Sequence, residues 1–234
     1  MNDLDYINCA LKKNYQSLDE AEWHNIVRYP LTIDFIERNV NRFDDENDWY
    51  LMCIYQRLSE GFLEKYKNKV FWTQVAQHQI LSESFIEKHF NELGAGCVSG
   101  WQRLSESFIE KHAEDLNWKL ISMFQHLSEA FIEKFIDKIN LEEIYICRFR
   151  EMSHEFIDKY LSKVNWNIIS ADTGLSTDFI ETFKANINWN ILSEHIDLSI
   201  FEDMNFNFAD KFRGYINWDI MGNRQDFKRL YGDL

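Results

Sequence analysis

Only one proline, Pro30, interrupts the 234 residues, and the eight glycines form no run with serine that would serve as a flexible linker. No internal boundary is therefore expected. The sequence predicts one repeat domain over 1–234, with an N-terminal cap and partial repeat over 1–30, repeats over 31–218 and a C-terminal cap over 219–234. Cysteine is also scarce. Cys9, Cys53, Cys97 and Cys147 lie more than forty residues apart, without the close spacing of a zinc site or redox pair, and read as reduced core fillers. No run of 18 apolar residues exists, and the opening MNDLDYINCALKKNY mixes charge into its apolar positions. This argues against a spanning helix or signal peptide and predicts a soluble, cytoplasmic protein. Basic charge is the remaining shortage: 25 Lys and Arg face 39 Asp and Glu, a formal charge of −14. Nucleic acid and anionic membranes require clustered cations to displace counterions, so neither is expected as a partner, whereas a protein with a basic surface is.

What the chain has in abundance is repetition. LSEGFLEKYKNKVFW at 58–72, LSESFIEKH at 81–89, LSESFIEKHAEDLNW at 104–118 and LSEAFIEKFIDKIN at 127–140 are one motif, and MSHEFIDKYLSKVNW, LSTDFIETFKANINW and MNFNFADKFRGYINW continue it from 152, 175 and 204. With LTIDFIER at 31–38 this makes about eight copies, whose commonest step is 23 residues. Each copy holds two helix starts. Ser105 suits an N-cap with Glu106 beside the positive helix end, and Leu104 with Ile109 has the spacing of a hydrophobic staple. Asn117 begins the second helix, with Trp118 as its first residue and Leu116 at staple distance from Ile121. Between the starts the apolar residues follow one helical stripe, as in Phe156, Ile157, Tyr160, Leu161 and Val164. Helices this short do not persist alone, so neighbouring copies must bury their stripes. The expected fold is all-α, an α-solenoid of about eight stacked two-helix repeats. Six tryptophans align with the second helix start, Trp23 ends the partial leading copy, and Trp101 is the exception. The aligned set is expected in the core between repeats.

The string LSExFIEK followed by NWxxIS, over residues 31–218, resembles tandem short-repeat proteins of bacteriophages and large DNA viruses, mostly without assigned function. That resemblance transfers no catalytic residue. It implies a viral protein acting in the host cytoplasm by binding a host or defence protein.

The chemistry-bearing patterns are absent: no phosphate-binding glycine loop, no nucleophile elbow, no paired histidines at metal spacing. No catalytic, cofactor or metal site is expected. His89 and His112 share one repeat position and read as duplicated surface or groove residues. Glu64, Glu87, Glu110, Glu133, Asp158, Glu181 and Asp210 share another, followed in most copies by lysine, which predicts a solvated, cross-paired charge ladder. Three departures from the repeat stand out, because stacking does not require them. Residues 41–48, NRFDDEND, read as a solvated acidic loop. Residues 93–100, LGAGCVSG, replace a cap and a tryptophan, so Gly94 and Gly96 mark a bend or contact loop with weak packing. Residues 145–151, YICRFRE, add Arg148 and Arg150 beside aromatics, which read as a local salt bridge to Glu142 or Glu143 or as an interface anchor. Finally, from 165 to 210 eight acids face only Lys184, which makes Asp178, Glu181, Glu194 and Asp197 candidates for an acidic binding face. The leading expectation is a non-enzymatic protein-binding scaffold. The alternative is an acidic nucleic-acid mimic that inhibits a defence nuclease, of the anti-CRISPR or anti-restriction type.

Overall fold

A computed structural model describes residues 15–144, 152–198 and 207–231. Among these the regular elements are all helices, mostly of five to seven residues, and none is a strand. The chain forms two compact units, residues 1–121 and 122–234, and each is described by itself.

In the first unit α1 (Glu20–His24) and a 3-10 turn (Ile26–Arg28) precede the repeats. The first copy supplies α2 (Ile33–Arg38) and α3 (Glu46–Tyr55), and the second α4 (Glu60–Lys65) and α5 (Trp72–His78). The third is α6 (Glu83–Lys88), α7 (Phe90–Leu93) and α8 (Ala95–Trp101). The fourth is α9 (Glu106–Lys111) and α10 (Trp118–Phe124), the last of which passes into the second unit. There follow α11 (Glu129–Lys134) with a 3-10 turn (Leu141–Glu143), α12 (His154–Lys159) with α13 (Trp166–Ser170), and α14 (Thr177–Thr182) with α15 (Trp189–His195). The second unit ends with α16 (Asn207–Lys211), α17 (Trp218–Asn223) and α18 (Gln225–Tyr231).

The predicted helix starts are the observed ones. Thr32, Ser59, Ser82, Ser105, Ser128, Ser153 and Ser176 each accept from the backbone N–H of a phenylalanine three residues on, at 3.1–3.2 Å. Asn117, Asn165, Asn188 and Asn217 cap the second helices in the same way. The staple residues are buried: in the fourth copy Leu104, Phe108, Ile109, Leu116 and Ile121 all lie in the core. Each such side chain contributes about 1.5–3 kcal/mol, far more than the local bonds of a six-residue helix. Burial between copies is what makes these helices persist. The second helices pack in succession, α3 on α5 and α5 on α8 in the first unit, α13 on α15 and α15 on α17 in the second.

The tryptophans differ from expectation. Trp23 and Trp49 are buried, but Trp72, Trp118, Trp166, Trp189 and Trp218 are only half-buried. Their indoles do two jobs at the edge of the stack. The ring lies against an aromatic of the next copy, as Trp72 on His89 at 4.6 Å, Trp166 on Phe183 at 5.5 Å and Trp189 on Phe212 at 5.4 Å. The Nε1–H donates to a carbonyl five residues back: Trp118 to Ala113, Trp166 to Leu161, Trp189 to Lys184 and Trp218 to Arg213, at 2.7–3.0 Å. The indole thus latches the turn between the two helices of its own copy. An amphipathic ring with one polar edge is suited to that half-exposed position.

The glycine-rich segment is helical rather than a loop. Gly94 joins α7 to α8 with φ +79°, a conformation costly for any other residue, and Ala95 stands where other copies have tryptophan. Phe90 fills the vacant ring position by stacking on His112 at 5.3 Å, so packing is kept there. The reading of 41–48 as a solvated loop is also overturned in part. Phe43 is fully buried 5.2 Å from Trp23, and Asp48 is fully buried in the first turn of α3.

Candidate functional site

At the end of each second helix in the first unit stands a buried glutamine: Gln56, Gln79 and Gln102, one repeat step apart. Gln79 donates from Nε2 to the carbonyls of Cys53 and Gln56, both at 2.8 Å, and accepts from the Leu58 N–H at 2.9 Å. Gln102 repeats this with Ala76, Gln79 and Leu81, and Gln56 with Val27, Tyr29 and Leu31. The last carbonyls of a helix have no partner within it, and here the amide of the next copy satisfies them. Each glutamine therefore fixes the end of its own helix to the end of the preceding one. This ladder was readable as four glutamines at a step of 23, Gln125 included, but polar residues before a cap look like ordinary loop residues.

The consequence is a stripe. The residue before each glutamine is held on the outside of the same helix end: Tyr55 is 51% exposed, His78 is exposed and Trp101 is 65% exposed. The residue after it is Arg57, Ile80 (97% exposed) or Arg103. Arg28 closes the row at one end, its guanidinium 5.5 Å over the Tyr55 ring. In the second unit the same repeat position is held by exposed Phe124. No contact between copies requires large rings here, because the stack is sealed by the glutamines beneath. Trp101, the exception to the tryptophan pattern, belongs to this row.

Two carboxylates that open the first helices, Glu60 and Glu83, are committed to the scaffold. Glu60 accepts from the Ser82 N–H at 2.6 Å, and Glu83 from the N–H and hydroxyl of Ser105. On another part of each copy the expected charge ladder is present as cross-repeat pairs: Lys65 with Glu37 at 2.9 Å, Lys88 with Glu64 at 3.0 Å, Lys159 with Glu133 at 2.6 Å, Lys111 with Glu87 and Lys211 with Glu181. The lysine side chains hold Glu64 and Glu87 below the usual carboxylate range through hydrogen bonds. Exposed pairs of this kind are screened and do little beyond setting register.

The histidines of the repeat are not surface residues. His89 is buried, stacked on Trp72, with Nε2 2.7 Å from Glu64, and His112 is half-buried between Phe90 and Phe108. Other copies place Tyr66, Phe135, Tyr160, Phe183 or Phe212 there, so the position requires a flat ring and imidazole supplies one.

The four acids proposed for the C-terminal third sit differently from one another. Asp178 projects from α14, 3.8 Å from His154. Glu181 on the same helix is neutralised by Lys211, which lies one residue beyond the stretch counted as unopposed. Glu194 and Asp197 are exposed at and after the end of α15, whereas Asp172, counted in the same acidic stretch, is buried. Arg148 and Arg150 lie outside the described residues. Of the glycines, Gly94 is a helix junction and Gly96 an exposed position of α8, with nothing near a would-be side chain.

Cys53 is buried and free, its thiol pushed up to about 11 by burial, so it is unreactive packing as expected. Cys97, half-buried, is also free. His24, Asp44 and Asp48 bring ligand atoms within 4.8 Å of one another, a nitrogen and two carboxylates that could hold a divalent cation. Both Asp48 oxygens, however, are bound to His24 Nδ1 at 2.8 and 2.9 Å, and that pair accounts for the arrangement. It ties the end of α1 to the start of α3, where the helix termini favour a cation and an anion respectively. Asp48 raises the His24 imidazole above its ordinary value by hydrogen bonding, and burial raises the Asp48 carboxyl.

Comparison with known protein families, curated proteins and solved structures finds no match to any of the three.

Proposed function

We propose that this chain is a non-enzymatic repeat scaffold that binds another protein, and that its first unit presents the docking face through Tyr55, His78 and Trp101. The observation that carries this is the recurrence of exposed rings at one repeat position, above a glutamine ladder that already satisfies the stacking contacts. Aromatic and arginine side chains are the residue types that dominate binding energy at protein interfaces, and here they lie in one row. The resemblance to viral short-repeat proteins supports a host or defence protein as the partner.

Selection of a displayed protein and peptide library on the intact chain tests the docking face. Selected binders should lose at least about tenfold in affinity, about 1.4 kcal/mol, on a Tyr55→Ala, Trp101→Ala double variant. Binders indifferent to that variant would place the interface elsewhere.

An acidic decoy for a nucleic-acid-binding protein is the second reading, favoured by exposed Asp178, Glu194 and Asp197 in a stretch with few cations. Its expected signature is partner binding that falls steeply with salt.

A further inference from the structure

Taking the first unit as a protein-docking face, the geometry points to the occupant: an acidic, proline-rich segment in the polyproline II conformation, laid along Tyr55, His78 and Trp101. Three independent features of the stripe select it.

The first is period. Helices α3, α5 and α8 pack in succession, and packed helices stand about 8–10 Å apart, so the exposed rings recur at about that interval. A polyproline II segment rises about 3.1 Å per residue with three residues per turn, and so presents the same face about every 9.3 Å. A β-strand repeats a face about every 6.6–7 Å and falls out of phase within two copies.

The second is chemistry. Prolyl rings pack on flat aromatic faces, and an extended segment without internal hydrogen bonds offers its carbonyls to donors on the receiving surface. Trp101 has such a donor. The turn-latching indoles spend their N–H on a carbonyl of their own turn, whereas that of Trp101 meets no acceptor among the described residues. The hydroxyl of exposed Tyr55 accepts from the Arg28 guanidinium at 3.5 Å and keeps its own hydrogen to donate.

The third is charge. The chain carries −14 overall, yet the stripe and its flanks hold Arg57 and Arg103 with no carboxylate in ion-pair distance among the described residues, and Arg28 over an aromatic face. Glu60 and Glu83, three residues after Arg57 and Ile80 in the chain, are bound to the caps of the next copy. A row of arginines in an acidic protein complements carboxylates on the occupant. Single-stranded nucleic acid also stacks on aromatics, but it needs a cation for most phosphates, and these few arginines in so acidic a protein do not provide that.

Isothermal titration of the intact protein tests this with three synthetic peptides of about twelve residues, repeating Pro-Pro-Glu, Pro-Pro-Lys and Gly-Ser-Glu, and with oligothymidine of similar length. The Pro-Pro-Glu peptide should bind at least about tenfold tighter than either other peptide. Trp101→Ala should abolish that preference, Trp101→Phe should keep part of it by retaining the ring without the donor, and Arg57→Glu with Arg103→Glu should shift it to the Pro-Pro-Lys peptide. Circular dichroism and melting temperature should stay near wild type, since these side chains are exposed. Equal binding of Pro-Pro-Glu and Gly-Ser-Glu, or a charge preference indifferent to the arginine reversals, overturns the occupant. Tighter, Trp101-dependent binding of oligothymidine overturns it in favour of nucleic acid. Library binders that depend on Tyr55 and Trp101 but lack proline and acid would sink the occupant and leave the docking face standing. Indifference of every ligand to Trp101 would remove both.

Discussion

A single side chain changes its meaning with its place in the repeat, and the His24–Asp48 pair illustrates it. Neither residue belongs to the repeated pattern, yet together they join α1 to α3. His24 has its folded value raised above 6.5 chiefly by the hydrogen bond it donates to Asp48, so its contribution to stability is full below that pH and is lost as pH rises through the folded value. Asp48 is raised above 3.8 by burial, so its contribution also declines as pH rises. The two act in one direction, with Asp44 and Asp45 adding to the pull on His24. The expected result is that His24→Gln lowers the melting temperature more at about pH 6 than at about pH 8.5. An equal loss at both would show that the proton on His24 does not matter. The two glycines of α8 and its junction are expected to respond in opposite senses. Gly94→Ala should cost about 1–3 kcal/mol, because φ is +79° there, while Gly96→Ala, with open space around it, should stabilise by up to about 1 kcal/mol. Urea titration of the two variants measures both.

Within an element the decisive contacts are those that finish its ends. Helices of five to seven residues have more unpaired backbone groups than paired ones, so caps outweigh interior bonds. Serine, asparagine and the indole latch close the starts and turns locally, whereas the glutamines close the ends by reaching into the neighbouring copy. Gln79→Leu would strand two carbonyls and an N–H, each at about 1–3 kcal/mol, so a loss of at least about 3 kcal/mol is expected by chemical denaturation. Trp166→Phe keeps the stack on Phe183 and removes only the bond to the Leu161 carbonyl, for which about 1 kcal/mol is expected. A loss as large as that of Gln79→Leu would mean that the latch, not the ladder, governs the repeat.

For the whole molecule, net charge and local surface point to different partners. A formal charge of −14 suggests a basic one, while the arginines and rings of the first unit suggest an acidic one. Salt separates the two, because binding through the exposed acids around Asp178 and Glu194 should weaken steeply with ionic strength and with neutralisation of Asp178, Glu181, Glu194 and Asp197 together. Binding through the stripe should instead survive that quadruple substitution and fail with Trp101→Ala. The partner of either screen, once isolated, can be titrated from about 0.05 to 0.5 M salt to decide which surface it uses.

How much of this was legible beforehand follows from what each feature depends on. Helix starts, staples, the all-α class and the paired lysine–glutamate ladder rest on residues three to five apart or on one repeat step, and spacing along the chain is enough to reveal them. The positions of Trp118, His89 and Asp48 depend instead on which ring or carboxylate the next copy brings against them. Spacing along the chain does not determine their burial, because amphipathic side chains are equally at home at an edge or in a core. The glutamine ladder and the stripe above it stood in the sequence at a step of 23, but only tertiary contact distinguishes them. A glutamine before a cap becomes structural when unpaired carbonyls of another helix meet it, and a tryptophan out of register becomes a candidate contact when the stack leaves it outside.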